Sequence, residues 1–228
     1  MSAEGYYTAL EKSKLFQGLS AKEIKDGIDD ISYDIRRFEE GEIIYHLMAK
    51  ADRIGIILKG RAQAQKIYSN GDQFYFSVRV TGDIIGPVAA FSRLQRYPFE
   101  VRALEPTEIL VFECTGFLRL LQSDVRVMKN FLIELASANF LLQQRLELLT
   151  YNAIQHKIAF YLLTAYTESG RGKILIPDSM TRWALMMNVS RPSLHRELKK
   201  MEALGLLRYL PPMIEIADSE GLKKLLEQ

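Results

Sequence analysis

Hydrophobic and polar positions along this chain change their period twice. Between about residues 31 and 115, apolar residues come in short runs. "EIIYHL", "RIGIILKG", "RAQAQKIY", "DQFYFSVRV" and "TEILVFE" are alternating or continuous stretches of strand length. The "SNGD" at 69–72 supplies Asn70–Gly71, which tolerates the positive φ angles of a tight hairpin. Gly41, Gly60, Gly82 and Gly86 punctuate the other runs. Many short strands at near-regular spacing predict a small sandwich or barrel. Ahead of them, "SAKEIKDGIDDI" predicts a short helix, with Ser20 and Glu23 placed for a capping box.

From about 124 to 151 the pattern becomes helical, without a glycine or proline. Met128, Leu135, Leu142 and Leu149 recur every seven residues, and Phe131, Leu132, Ala138 and Leu146 fill the seam. Such a repeat suits a partner helix, as in a coiled coil, or a helix lying on its own domain's core. The stripe outruns one small sheet, which favours a parallel dimer with Met128, Phe131, Leu135, Ala138, Leu142, Leu146 and Leu149 in its interface.

The third block starts near Asn152. "AIQHKIAFYLLTAYT" is an amphipathic helix and "KILIP" a short strand; "DSMTRWALMM", "NVS" and "RPSLHRELKKMEALG" read as helix, turn, helix. "LLRYLPPMIEIAD" closes as a hairpin before a last short helix. This is a winged-helix order. In the first helix of the pair, Trp183, Ala184 and Met187 face the core; in the second, Leu194, Leu198 and Met201 do so at i, i+4, i+7. Ser190 suits the N-cap, Pro192 the first turn and Gly205 the C-terminal stop.

That register turns Pro192, Arg196 and Lys199 outward, flanked by Arg191 and His195. An arginine-bearing helix N-terminus suits phosphate or a guanine edge. Arg196 is the first candidate for base contact, and Arg191 for base or phosphate. Ser179, Arg182, Ser190, Ser193, Lys199 and Lys200 complete the candidate DNA-binding set, with Arg208 in the wing. A merely solvated charged face accounts for Lys199, Lys200 and Arg208 equally well.

Composition adds little. The 228 residues carry 48% hydrophobic and 25% charged side chains, as in a soluble globular protein. No apolar run reaches the roughly 20 residues of a membrane span, and "MSAEGYYTAL" lacks a secretory pattern. No membrane association is expected, and a cytoplasmic location is. The net charge is +2; residues 152–228 hold 11 Lys and Arg against 8 Asp and Glu, the remainder 19 against 20. The asymmetry points weakly to a DNA-binding C-terminus. One cysteine, Cys114, excludes an iron–sulfur cluster or internal disulfide within one chain. His46, His156 and His195 are too dispersed for a dedicated metal site, and no paired reactive groups or phosphate loop suggest an enzyme.

Taken together, "GEIIYHL", "GDIIGPVAAF" and "NVSRPSLHREL" resemble the Crp/Fnr superfamily of bacterial transcription regulators along nearly the whole chain. The resemblance implies an α+β chain: an N-terminal β-roll (a cupin-like jelly roll) sensor over 1–123, a dimerisation helix over 124–151, and a winged helix-turn-helix over 152–228. It also implies double-stranded DNA, a second copy of the chain, RNA polymerase and a small-molecule effector as partners.

The ligand does not carry over with the family. In cyclic-nucleotide-binding members, a Gly-Glu pair holds the ribose and an Arg-Ser pair the cyclic phosphate. Matched without a gap from Gly86 to Ala103, the glutamate position is Pro87, the arginine Tyr97 and the serine Pro98. Proline offers no side-chain acceptor or N–H donor, and tyrosine cannot neutralise a phosphate. Leu142 stands where a threonine contacts the purine. Cyclic AMP is therefore not the expected effector, although Arg93 or Arg96 lies close enough for a rebuilt loop to use. A haem is not expected either, with His46 the sensor's single histidine. The expected pocket is apolar and aromatic, around Gly86, Pro87, Val88, Phe91, Tyr97, Pro98, Phe99 and Leu142. The family's glutamate after Ser-Arg is here Pro192, so the DNA half-site is expected to differ.

The reading is a homodimeric, sequence-specific regulator of an inverted repeat, controlled at the β-roll by a signal other than cyclic AMP. The alternative is a cyclic-nucleotide-type sensor module whose winged helix serves protein contacts.

Overall fold

A computed structural model describes residues 3–67, 73–176 and 179–227. The chain divides into two compact units, 1–137 and 138–228. The division falls inside the long helix.

The first unit begins with α1 (Ala3–Leu10), a 3-10 turn at Lys14–Phe16 and α2 (Ala21–Asp29). Ser20 accepts from the Glu23 N–H, and Glu23 accepts from the Ser20 N–H, closing the capping box. Next come β1 (Tyr33–Phe38), β2 (Ile43–Tyr45), β3 (Arg53–Lys59), β4 (Arg61–Ile67), β5 (Gln73–Val80), β6 (Ile84–Ile85), a single turn of helix α3 (Pro87–Ala90), β7 (Glu100–Ala103) and β8 (Thr107–Glu113). The "SNGD" hairpin turn lies outside the described residues. The strands form two antiparallel four-stranded sheets, ordered β1-β8-β3-β6 and β2-β7-β4-β5. This is the β-roll.

The near-continuous apolar run of β3 is explained by burial on both faces. Ile54, Ile56 and Leu58 pack with Leu110 and Phe112 beneath α1, α2 and α4 (Cys114–Ser123), while Ile57, Ile109 and Val111 meet the second sheet. The sequence reading contains neither α1, α3 nor α4. These helices are short, and their apolar residues act as a lid on a sheet that strand-length patterns alone leave half-covered.

Helix α5 (Val125–Thr150) starts against the first unit. Asn130 donates to the carbonyls of Leu15 and Gln17, and Arg126 to Glu23, Asp124 and the Gly18 carbonyl. Val127 and Phe131 are buried in that unit's core and Leu135 packs against it. Phe131 therefore does not face outward along the seam: the wide apolar surface of α5 splits, one side covering its own domain. Met128, Leu132, Leu142, Leu146 and Leu149 remain exposed, and Ala138 is exposed beside them.

In the second unit, α6 (Ile154–Ser169), β9 (Lys173–Leu175), α7 (Met180–Met186), α8 (Arg191–Ala203), β10 (Leu207–Leu210), β11 (Met213–Ile216) and α9 (Ser219–Leu226) enclose one core. The three strands pair as β10-β11-β9. This is a winged helix.

Candidate nucleic-acid interface and sensor cavity

The ends of α8 are fixed by local chemistry. Ser190 caps its start by accepting from the Ser193 N–H at 3.2 Å, and the Ser190 hydroxyl donates to Ser193 Oγ at 2.8 Å. At the far end Gly205 adopts φ +76°, while the Leu206 N–H reaches the Met201 carbonyl and the Gly205 N–H that of Glu202. That is a Schellman stop, and it requires the left-handed backbone that glycine tolerates. Leu194, Leu198 and Met201 are buried, each contributing roughly 1.5–3 kcal/mol. Trp183, Ala184 and Met187 of the preceding helix lie in the same core.

With its inner face spent, α8 exposes Arg191, Pro192, His195, Arg196, Lys199 and Lys200, and half-buries Ser193. The exposed cations are not equivalent. Lys199 pairs with Glu202 at 2.7 Å and lies 5.4 Å from the centre of the Tyr209 ring. Its ammonium, with the Tyr209 N–H, holds the Glu202 carboxyl below its usual range. Lys200 pairs with Glu197 at 3.3 Å and Arg208 with Glu215 at 3.7 Å. Arg191 and Arg196 have no ion pair among the described residues, so their donors are unspent. His195 sits edge-on to Tyr209. At the start of α7, the Ser179 oxygen accepts from the Arg182 N–H at 3.2 Å, and Arg182 is exposed.

One buried polar contact beneath the helix pair escapes the sequence reading. Lys157 of α6 is only 7% exposed, and its ammonium donates to the Met187 carbonyl at the end of α7, 2.9 Å away. The signal was present: Lys157 stands in the apolar stripe of α6, between Ile154 and Ile158.

In the first unit, a cavity of about 260 Å³ is lined from β2, β4, β5, β6, α3 and residues 97–101. Gly86, Pro87, Val88, Tyr97, Pro98 and Phe99 line it. Phe91 does not: α3 ends one residue earlier, and the ring departs towards Phe117 and Phe131, at 6.2 and 6.1 Å between centroids. Leu142 belongs to the second unit, where it is 56% exposed.

Tyr97 is 5% exposed and stacks face to face on Tyr45, centroids 4.3 Å apart. Its hydroxyl donates to the Arg53 carbonyl at 2.8 Å. Burial pushes the Tyr97 phenol up to about 12 and raises that of Tyr45 as well. Gly86, at φ +90°, is wedged beside this stack; a Cβ there would lie 2.9 Å from the Arg53 carbonyl and 3.2 Å from the Tyr45 ring.

A cyclic nucleotide does not fit this donor set. The ribose position offers a proline, and the phosphate position a neutral tyrosine already committed to backbone. Neither Arg93 nor Arg96 lines the cavity, and Arg96 donates instead to the Met48 carbonyl at 2.8 Å. Cys114 is half-buried, its thiol pushed up by burial, which disfavours the reactive thiolate. His46 is exposed. Among the described residues, no three His, Cys, Asp or Glu side chains gather where a metal could bind.

Residues 35–124 match the cyclic nucleotide-binding domain family, and residues 156–225 the Crp-like helix-turn-helix domain family. The cyclic AMP receptor protein of Thermus thermophilus is 22% identical over 217 residues, spanning 95% of this chain and 98% of that protein. A Lacticaseibacillus casei protein named as a transcriptional regulator, flp, is 21% identical over 209 residues, 92% of this chain and 94% of its own. The crystal structure of the Thermus thermophilus catabolite activator protein superposes with a TM-score of 0.56 at 19% identity, over 94% of this chain and 99% of that one. That likeness speaks for the fold.

Proposed function

This chain belongs to the Crp/Fnr superfamily of transcription regulators, which are not enzymes, and from that premise we infer how it works. It acts in the cytoplasm as a homodimer, joined along the exposed stripe of α5, and reads an inverted repeat with one α8 in each half-site. Arg196 contacts a base edge, with guanine its natural partner, and Arg191 contacts a base or phosphate. Ser179, Arg182, Ser190, Ser193 and His195 lie along the flanking backbone path. The observation that carries this reading is the contrast on α8: Lys199 and Lys200 are paired with acids, whereas Arg191 and Arg196 point outward with unspent donors.

A small molecule other than cyclic AMP acts at the β-roll cavity and biases the orientation of the reading helices, as a ligand that prefers one of two states must. Binding to promoter fragments, measured by fluorescence anisotropy across a salt series, tests the DNA step. Specific binding that weakens steeply with salt supports it. Salt-independent retention of the fragment, or none, would leave the winged helix to protein contacts.

A further inference from the structure

Strand β5 gives its polar side chains to the sensor cavity. Ser77, half-buried, and Arg79, exposed at the cavity's edge, line it, whereas Val78 and Val80, 45% and 46% exposed, do not. A two-residue period normally turns valines inward and arginine outward. The neighbouring strand makes room: Ser77 pairs with Ala64 and Arg79 with Ala62, small residues on both counts.

Arg79 is the one charged residue among those lining the cavity, and no carboxylate shares the lining. It has no ion pair among the described residues. Nearby charges are already matched: Arg102 pairs with Glu100 at 2.9 Å, and Gln65 donates to the same carboxylate. Tyr45, another lining residue, is 7% exposed, and its hydroxyl, buried beside Gly55, has no hydrogen-bond partner. Buried polar atoms seldom lack a partner without reason.

We propose that this cavity binds a small aromatic carboxylate. The guanidinium of Arg79 takes the carboxylate through two parallel N–H donors, and the wall of Tyr97, Pro87, Pro98 and Phe99 takes the ring. The inference deepens the effector reading above and rests on it. Two properties set the ligand class. A planar fork with no internal partner matches a carboxylate better than a neutral group. A volume of about 260 Å³ lies below the roughly 300–1,000 Å³ of pockets for drug-sized ligands, which favours a single ring with a short acidic arm. Arg79 also stands on the edge strand of its sheet. A charge on an edge strand can guard against edge pairing, and the experiment must separate that role.

The test is calorimetric titration of the full chain with benzoate, phenylacetate and 4-hydroxyphenylacetate, with their primary amides, and with cyclic AMP and inorganic phosphate. At least one acid is expected to bind at least tenfold more tightly than its amide, the loss of one charge-assisted contact. Arg79→Gln is expected to remove that preference and leave amide binding unchanged; Arg79→Lys, keeping charge without the fork, is expected to fall between. Unchanged thermal midpoints for both variants show that the fold is intact.

Equal binding of acid and amide, full acid binding by Arg79→Gln, tighter binding of cyclic AMP or phosphate, or no acid binding at about 1 mM each overturns the proposal. So does self-association of Arg79→Gln with acid binding intact, which assigns the residue to edge protection. Acid binding that leaves DNA affinity unchanged supports the ligand and instead removes its regulatory role. Loss of DNA binding in the ligand-free protein bears on the reading helix alone.

Discussion

The ammonium of Lys157 donates to the carbonyl of Met187 at 2.9 Å, tying α6 to the turn that precedes α8. The Met187 carbonyl ends α7, where a helix presents negative partial charge and unpaired acceptors. Replacing Lys157 by Met keeps the length of the stem but orphans that carbonyl. The expected loss is about 1–2 kcal/mol of stability in the C-terminal unit, read by urea denaturation followed through Trp183 fluorescence. Unchanged stability would mean that the cost of burying the ammonium cancels the bond.

The unequal state of the α8 cations predicts unequal effects on DNA. Arg196→Ala should cost about 1–3 kcal/mol on a specific site and relax discrimination at one base position. Lys200→Ala should cost less, because its ammonium already has Glu197, and should act alike on all sequences. Competition binding with single-base variants of the half-site checks both, and equal affinities for wild type and Arg196→Ala would remove Arg196 from base reading.

Tyr97 cannot simply be returned to arginine. Its ring is buried on Tyr45, and its hydroxyl holds the Arg53 carbonyl. Tyr97→Arg is expected to lower the thermal midpoint of the sensor by several degrees without conferring cyclic AMP binding. A stable variant with micromolar cyclic AMP affinity would show that the loop rebuilds easily.

Acid should loosen the attachment of α5 to α2. Glu23 accepts from the Ser20 N–H and from Arg126, which together push its carboxyl down to about 2 from an ordinary value near 4.5. Asp124 is lowered too, chiefly by its hydrogen bond from Arg126. A depressed folded value means the carboxylate contributes stability above the unfolded value and loses it as pH falls through the folded one. Sensor stability should therefore decline between about pH 4.5 and 2. Arg126→Ala should flatten that decline in a series of thermal melts.

Along α5, burial separates two classes of leucine. Leu142→Glu with Leu146→Glu is expected to give a folded monomer in sedimentation equilibrium, since both side chains are exposed in one chain. Leu148→Glu, placing a carboxylate in the core of the C-terminal unit, is expected to unfold that unit instead. A persistent dimer in the double variant would move the interface elsewhere.

Much of this architecture was legible along the chain because its signals are local. Ser20 with Glu23 and Ser190 with Gly205 mark helix ends through bonds spanning three to five residues. The buried faces of α7 and α8 follow from the helical period. The seven-residue repeat of α5 announced a helix with a greasy surface. It could not apportion that surface, because Phe131 and Leu142 satisfy the same repeat while one is buried against Phe117 at 5.4 Å and the other is exposed.

The sequence by itself determined the run of strands, the long helix and the helix-turn-helix, and which face of α8 is buried, but not α1, α3 or α4. Tertiary structure decided which cations are already paired, that Lys157 reaches Met187, and that Tyr45 and Arg79 share one cavity. The difference is one of range. Periodicity and capping act within a few residues, whereas Lys157 and Tyr97 find their partners 30 and 44 positions away, contacts set only when the helices and sheets close.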